Sequence, residues 1–288
     1  MRTLEEYVTL IEQRLQELLP PPEEELAYGR CINAMRYSLE AGGKRIRPVL
    51  VLAFCEMYGG TAETALDAAC ALEMIHTFSL IHDDMPCMDN DDMRRGKPSC
   101  HIAFDEATAL LAGVALLNAA YGVIADSCKL TDHQKAALVS LLSRAVGTSG
   151  MIGGQVIDTL AAPARDTAEL LEMYSMKTGA LLEAACAMGA VCACHYDTHA
   201  AEEYARALGL AFQIKDDILD VTADEKVLGK PVHSDERNDK TTYVSLMGTD
   251  KAQEEAERLT ALALERARML PENGFVTGLT RKLLERVS

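Results

Sequence analysis

The sequence has no tryptophan and few aromatic residues of any kind: Phe, Trp and Tyr together make up 5% of its 288 residues. Proline is also rare, with nine residues, whereas Ala and Leu supply much of a hydrophobic share of 49%. Strands are rich in aromatic and β-branched residues, so this composition favours helices. It excludes disordered and collagen-like chains, and the chain is long enough to bury a sizeable core.

Basic residues are scarce: 28 Lys and Arg stand against 44 Asp and Glu, a net charge of −16 at pH 7. Nonspecific binding to nucleic acid or to an anionic membrane surface requires an excess of basic residues, so we expect neither partner. No uninterrupted apolar run approaches the ~18 residues of a membrane span, and the N-terminal stretch is charged and amphipathic rather than a signal peptide. We therefore expect a cytoplasmic protein with no membrane span.

The nine cysteines form an odd-numbered set with no CxxC pair and no histidine at zinc-finger spacing. This usage is typical of reduced thiols packed as small apolar residues in a cytosolic protein.

Apolar residues recur at helical spacing along most of the chain. No convincing period-two run, internal repeat or Ser/Gly-rich linker is present, so the sequence predicts one all-α domain over residues 1–288. Several stretches are apolar over most of their circumference, which predicts helices surrounded by other helices. The predicted helices cover 3–19, 23–40, 48–57, 62–84, 103–127, 132–150, 167–194, 199–222 and 250–270.

Two clusters of aspartates lie within strongly apolar helices, so an ordinary solvated acidic face does not explain them. The first has five Asp between Asp83 and Asp92, and the second contains Asp216, Asp217 and Asp220. Two unit charges at ~4 Å repel by about 4 kcal/mol even at an effective dielectric near 20. Such carboxylates need cations, and without interleaved His or Cys ligands the pattern favours Mg²⁺ over zinc.

The few basic residues gather at 43–47, at 94–95, at 177–179 and in the segment that contains Lys230 and Lys240. Carboxylates, Mg²⁺ and Lys or Arg side chains together suit phosphate oxygens. No GxxxxGK[ST] or GxGxxG motif indicates a nucleotide cradle, and the flanking sequence is apolar. The sequence therefore predicts a substrate with a phosphate group and an apolar remainder.

Five motifs in order make the chain resemble the trans-polyprenyl diphosphate synthase family. They are GGKRIRP at 42–48, DDMPCMDNDDMRRGKPSCH at 83–101, GGQVID at 153–158, KTGAL at 177–181 and FQIKDDILD at 212–220. The four residues between Asp84 and Asp89 resemble the first motif of bacterial farnesyl diphosphate synthases and of plant-type geranylgeranyl diphosphate synthases.

The resemblance implies an all-α bundle with a central cavity, with the two aspartate motifs facing each other across its mouth. It implies a homodimer that condenses isopentenyl diphosphate head-to-tail with dimethylallyl and then geranyl diphosphate. It also implies three Mg²⁺ ions per site. Two would be held by Asp83, Asp84 and Asp89, and the third by Asp216 with Asp217 and Asp220 nearby.

The resemblance assigns the remaining site residues as well. Lys177, Thr178 and Gln213 would be catalytic, with the Thr178 hydroxyl and the Gln213 carbonyl stabilising an allylic carbocation. The departing diphosphate is the expected base. The allylic diphosphate would be bound by Arg94, Lys177, Thr178, Gln213 and Lys230, and isopentenyl diphosphate by Lys44, Arg47, His76 and Arg95.

Product length depends on Phe78, which lies five residues before Asp83 and hence about 7.5 Å deeper along a helix. The resemblance implies that a bulky residue there stops the growing chain, whereas the neighbouring Ser79 is too small to do so. We predict farnesyl diphosphate as the main product, with geranylgeranyl diphosphate as the alternative.

Two other interpretations stay open, a non-catalytic subunit of a heteromeric synthase and a class I terpene cyclase. Complete aspartate clusters argue against the former, and a predicted second-substrate site argues against the latter. The chain departs from the family pattern at Met176, where relatives often have His, and in lacking a C-terminal Lys.

Overall fold

The computed structural model describes residues 1–21, 27–222 and 240–284, and this part of the chain is almost entirely helical. The α-helices are α1 (Leu4–Leu18), α2 (Gly29–Leu39), α3 (Ile46–Met57), α4 (Ala62–Asp83), α5 (Cys100–Ala103), α6 (Glu106–Asp126), α7 (Asp132–Val146), α8 (Met151–Leu160), α9 (Thr167–Tyr174), α10 (Ala180–Cys192), α11 (His199–Thr222), α12 (Tyr243–Met247), α13 (Thr249–Arg268) and α14 (Gly274–Leu284). The predicted all-α fold class is confirmed.

Helices α8, α12 and α14 were not predicted, and neither were two further features of the secondary structure. A π-helical turn, Ser175–Gly179, interrupts the predicted helix 167–194 and separates α9 from α10. Between α4 and α5 lies a small antiparallel hairpin, β1 (Met93–Arg94) with β2 (Lys97–Pro98). Both residues of its turn have positive φ, 53° at Arg95 and 75° at Gly96, as a two-residue hairpin turn of the primed type requires.

Helix ends follow from local capping chemistry. Thr3 and Thr131 each close a capping box at the start of α1 and α7, and the Thr61 side chain accepts a hydrogen bond from the Thr64 N–H at the start of α4. Pro20 follows α1, where its ring prevents the helix from continuing.

The core lies around α4 and α10, which are buried over most of their circumference, as the sequence predicts. Helix α4 packs against α3 and α6, and α10 packs against α3, α7 and α11. Small residues permit this close packing: a Cβ on Gly189 of α10 would lie 2.4 Å from the Val51 carbonyl oxygen of α3. Buried apolar side chains from α1 through α14 form one cluster.

A buried ion pair fastens the segment between α2 and α3 to α4. Arg45 Nη1 lies 2.6 Å from Glu73 Oε1, and Arg45 Nη2 donates to the Leu39 carbonyl oxygen at 2.5 Å. Arg45 is 4% exposed, Glu73 is 1% exposed, and Arg45 has a left-handed backbone with φ of 50°. The pair therefore fixes the backbone between Lys44 and Arg47.

All nine cysteines are free thiols, as the sequence predicts. Three stretches, Ala62–Asp83, Glu106–Asp126 and Asp132–Leu160, are long and apolar enough to cross a membrane, judged by length and composition alone. Within the structure, 72% of the most apolar window of the first is buried, against 33% and 39% for the others. The absence of a membrane span stays a prediction.

Candidate active site

A cavity of about 1320 Å³ opens between the C-terminal end of α4, helix α8, the π-helical turn and helix α11. Most of the predicted site residues line it. They are Lys44, Arg47, His76, Phe78, Ser79, Asp83, Asp89, Arg94, Arg95, Lys177, Thr178, Gln213 and Asp216. The two aspartate motifs thus contribute to one cavity, together with apolar residues such as Leu117, Val156 and Leu181.

Three predicted residues in the described part of the chain are not among those that line the cavity. Asp84, Asp217 and Asp220 are each buried, with at most 3% of the residue exposed. Lys230 lies outside the described residues, and its predicted contact with an allylic diphosphate stays a prediction.

Basic side chains neutralise the carboxylates of the first motif. Arg94 Nε lies 2.9 Å from Asp84 Oδ1, and Lys240 Nζ lies 2.9 Å from Asp89 Oδ1. Asp83 has a different environment: burial raises its pKa to about 6, although Lys177 acts in the opposite direction. Burial also raises the pKa of Asp84, against the effect of Arg94.

Asp158 connects two of the cationic side chains, and sequence analysis did not single it out. Lys177 Nζ lies 2.5 Å from Asp158 Oδ2, and Lys240 Nζ lies 3.5 Å from the same oxygen. Burial alone would raise the pKa of Asp158, but Lys177 and Lys240 outweigh it and lower the pKa. The position of Asp158 at the end of the GGQVID motif was the feature of the sequence that could have identified it.

The glycines of GGQVID bring α8 against the π-helical turn. A Cβ on Gly154 would lie 2.3 Å from the backbone nitrogen of Lys177, so only glycine permits this approach without a shift. The motif is therefore a helix contact and, through Asp158, also part of the cavity's ion-pair network. Single-turn π-helices are frequent at functional sites, and this one carries Lys177 and Thr178.

A hydrogen-bond network links the π-helical turn to the second aspartate motif. The Thr178 hydroxyl donates to Gln213 Oε1 at 3.1 Å, and Gln213 Nε2 donates to Asp217 Oδ1 at 3.4 Å. Asp217 Oδ2 accepts from the Tyr174 hydroxyl at 2.6 Å and from the Tyr243 backbone N–H at 2.9 Å. These bonds engage both carboxylate oxygens, and the predicted role of Asp217 as a metal ligand stays a prediction.

The predicted isopentenyl diphosphate residues form a cationic wall beside Glu73. Arg47 Nη1 lies 3.3 Å from His76 Nε2. Burial lowers the pKa of His76 well below 6.5, and the Arg47 and Arg95 guanidinium groups lower it further. His76 is therefore a neutral imidazole at pH 7 and can accept from Arg47. Arg95 donates to the Gly42 carbonyl oxygen, which ties the hairpin to the GGKRIRP segment.

The donor set fits Mg²⁺. Among the described residues, no three His, Cys, Asp or Glu side chains converge closely enough to hold a metal ion by themselves. Protein-bound Mg²⁺ commonly takes one or two carboxylates and completes its shell with water and substrate phosphates. Asp83, Asp89 and Asp216 supply such carboxylates around a cavity that is also lined by Lys and Arg side chains.

Comparison with known proteins decides the family. Residues 30–270 match the polyprenyl synthetase family. The chain belongs to the polyprenyl synthetase family. It is 42% identical over 262 residues to the farnesyl diphosphate synthase of Haemophilus influenzae, with 89% of each chain covered. It is 45% identical over 267 residues to the geranylgeranyl diphosphate synthase of Cyanophora paradoxa, covering 91% of this chain and 88% of the relative.

A solved structure agrees with this membership. The apo crystal structure of an FPP/GFPP synthase from Zymomonas mobilis matches with a TM-score of 0.86 and 37% identity, covering 98% of this chain and 97% of that chain. The polyprenyl synthetase is thus a prenyltransferase of isoprenoid biosynthesis. The named relatives include synthases of different product length, so membership alone does not give the length of its product.

Proposed function

We propose that this polyprenyl synthetase condenses isopentenyl diphosphate with dimethylallyl diphosphate and then with geranyl diphosphate, giving mainly farnesyl diphosphate. The observation that carries the proposal is one cavity that is lined both by Asp83, Asp89 and Asp216 and by Phe78, which lies five residues before Asp83 on α4. Charged groups suited to a diphosphate and apolar walls suited to a prenyl chain therefore belong to the same space.

The proposed allylic diphosphate site comprises Arg94, Lys177, Lys240 and, outside the described residues, Lys230. Three Mg²⁺ ions would be held by Asp83, Asp84 and Asp89 and by Asp216, with Asp217 and Asp220 close to the latter in sequence. Bound Mg²⁺ would supply charge neutralisation that makes diphosphate a better leaving group. The Lys and Arg donors orient the diphosphate and stabilise the charge that develops on it.

The reacting carbon would lie beside Thr178 and Gln213, whose oxygens carry the negative ends of their dipoles. Such fixed dipoles stabilise a developing cation without reorganising. Leu181 and Leu182, which also line the cavity, keep water from quenching it. Lys44, Arg47, His76 and Arg95 would hold isopentenyl diphosphate, whose double bond attacks the cation. The departing diphosphate takes the proton that is then lost.

A second candidate product is geranylgeranyl diphosphate, favoured by relatives of that name at 45% and 47% identity. The proposal that the shorter farnesyl diphosphate is the main product rests on the bulk of Phe78 in the cavity wall. We further propose a homodimer, and the cytoplasmic location expected from the sequence stays part of this proposal.

The test is incubation of the full chain with isopentenyl and dimethylallyl diphosphates and Mg²⁺, followed by dephosphorylation and chromatography of the prenyl alcohols. Farnesol as the main product supports the proposal, and geranylgeraniol supports the second candidate. Turnover that survives thorough chelation, or that is unaffected in Asp83→Asn, contradicts the metal-assisted mechanism. Hydrocarbon released from farnesyl diphosphate alone would indicate a cyclase instead.

A further inference from the structure

Asp217 joins three elements around the proposed active site. Its Oδ2 accepts from the Tyr174 hydroxyl at 2.6 Å and from the Tyr243 N–H at 2.9 Å, and its Oδ1 accepts from Gln213 Nε2 at 3.4 Å. Tyr174 is the last residue of α9, directly before the turn that carries Lys177 and Thr178. Asp217 thus accepts a hydrogen bond from each of three donors on its two oxygens.

Asp217 is the acceptor in all three of these bonds, and this restricts the amide beside it. Gln213 must present its NH₂ group to Asp217, so its carbonyl oxygen is left for the Thr178 hydroxyl, which donates at 3.1 Å. Thr178 and Gln213 both line the cavity. The bonds of Asp217 therefore fix the orientation of the Gln213 amide. Its oxygen, rather than its NH₂ group, lies next to Thr178.

We infer that Asp217 is a positioning residue that fixes the polarity of the Gln213 amide and is not a Mg²⁺ ligand. The inference rests on the proposed function, because the orientation of this dipole has a role only if a cation forms in the cavity. With the amide reversed, the positive NH₂ end would stand where the negative oxygen stabilises that cation.

The substitution Asp217→Asn tests this directly, because asparagine has one accepting and one donating end. The Tyr243 N–H cannot be reversed, so the carbonyl of the introduced asparagine takes the place of Oδ2 and its NH₂ group faces Gln213. The Gln213 amide must then flip to accept, which places its own NH₂ next to Thr178. We expect turnover to fall on the order of 100-fold, as for loss of one preorganised dipole in other active sites.

Exchanging the amide of Gln213 and the carboxylate of Asp217 between the two positions should restore turnover. In Gln213→Glu combined with Asp217→Asn, the introduced glutamate carboxylate accepts from the asparagine NH₂ group and from Thr178, so an oxygen again faces the cavity. The double variant should recover at least about tenfold in turnover over Asp217→Asn. Gln213→Glu alone places two carboxylates side by side and should be impaired. If Asp217→Asn acted only through the loss of a metal ligand or of packing, the double variant would not recover turnover.

Tyr174→Phe is the matched control, because it removes one bond to Asp217 without changing the atom that faces Gln213. Turnover, thermal melting and Mn²⁺ binding in the presence of inorganic pyrophosphate, followed by electron paramagnetic resonance, are measured for all variants. The expected pattern is an impaired Asp217→Asn with unchanged Mn²⁺ stoichiometry, rescue in the double variant and near wild-type turnover in Tyr174→Phe.

Three results would overturn the inference: loss of one bound Mn²⁺ in Asp217→Asn, absence of rescue, or equal impairment in Tyr174→Phe. If Asp217→Asn does not fold, the double variant decides, since turnover within tenfold of wild type supports the inference and lower turnover overturns it. Absence of condensation by the wild-type protein would instead refute the proposed function, which separates the two failures.

Discussion

The Phe78 ring stands almost perpendicular to the His82 imidazole, at 87°, with their centroids 5.1 Å apart. The imidazole is itself held from the other side: a His82 ring nitrogen lies 3.1 Å from the Leu110 carbonyl oxygen of α6. A Cβ on Gly113 would lie 2.2 Å from His82 Nε2. The Phe78 ring, the proposed floor of the cavity, therefore packs against the His82 ring, which in turn fits against Gly113.

Phe78→Ala should lengthen the main product beyond C15, because it removes the bulk that we propose stops the growing chain. The measurement is the distribution of prenyl alcohols after dephosphorylation. Ser79→Ala is the matched control on the same wall and should leave the distribution unchanged. A Phe78→Ala variant that still stops at farnesyl diphosphate would show that other residues set the depth.

Two glycines of α6 should respond in opposite directions to alanine. Gly113→Ala introduces a Cβ into the space of the His82 ring and should destabilise the protein by about 1–3 kcal/mol. At Gly122, which is exposed, a Cβ meets nothing within 4 Å, so alanine should stabilise by about 0.5–1 kcal/mol through helix propensity. Urea denaturation measures both, and equal effects would contradict the tight contact with His82.

Glu73→Gln should reduce the free energy of unfolding by about 3–5 kcal/mol, because it leaves the buried Arg45 charge with only the more distant and half-exposed Glu12 carboxylate, 3.7 Å away. It should also raise the KM for isopentenyl diphosphate more than that for the allylic substrate, since Arg45 fixes the Lys44–Arg47 backbone. Arg30→Met, which breaks an exposed ion pair with Asp105, should cost about 1 kcal/mol at most. Equal losses in the two variants would argue against a special role for the buried pair.

His76 should make stability depend on pH on the acid side. Burial and the nearby arginines lower its pKa in the folded protein well below 6.5, so the unfolded chain takes up a proton first. The stabilising contribution is present above pH 6.5 and is lost as the pH falls, by up to about 1.4 kcal/mol per pH unit. His76→Gln should flatten the profile of unfolding free energy between pH 6.5 and 5. Identical slopes for the two proteins would show that His76 is protonated in the folded state as well.

Asp158→Asn should lower kcat by roughly 10- to 100-fold, because Lys177 and Lys240 lose the carboxylate that holds them beside the aspartates. The melting temperature of each variant is measured as well, so that a loss of activity can be separated from a loss of folding. Asp126→Asn, on the exposed end of α6, serves as the matched control and should keep full activity. If kcat were unchanged in Asp158→Asn, Asp158 would contribute only to the contact between helices and not to catalysis.

The helices were largely predictable because their apolar periodicity is a local property of the sequence. Residues 3–19 and 199–222 were predicted as helices, and the structure has Leu4–Leu18 and His199–Thr222. The π-helical turn was not predictable in this way, because its apolar pattern continues that of α9 and α10. Helices α8 and α14 were missed, since short stretches rich in glycine carry weak helical preference.

The residues that form the site could also be predicted, because its motifs are contiguous in the chain. The partner of each charged side chain could not be predicted. Asp84 and Asp217 belong to the same kind of motif as Asp83, and yet they are not among the residues that line the cavity, and their carboxylates bond to Arg94 and Tyr174. Likewise, Asp158 and Lys177 are brought together by the packing of α8 on the π-helical turn. Such pairings depend on tertiary contacts that no spacing rule encodes.

The ion pairs of Arg94 with Asp84 and of Lys240 with Asp89 place two basic side chains, each proposed to bind diphosphate, against carboxylates that are proposed to hold Mg²⁺. Under the proposed function, a pyrophosphate group that engages these two cations would withdraw them from the carboxylates. The carboxylates then gain affinity for divalent ions, and thermodynamic reciprocity requires that such ions raise the affinity for pyrophosphate by the same factor. Anion and metal should consequently enter this protein cooperatively, each weakly retained alone.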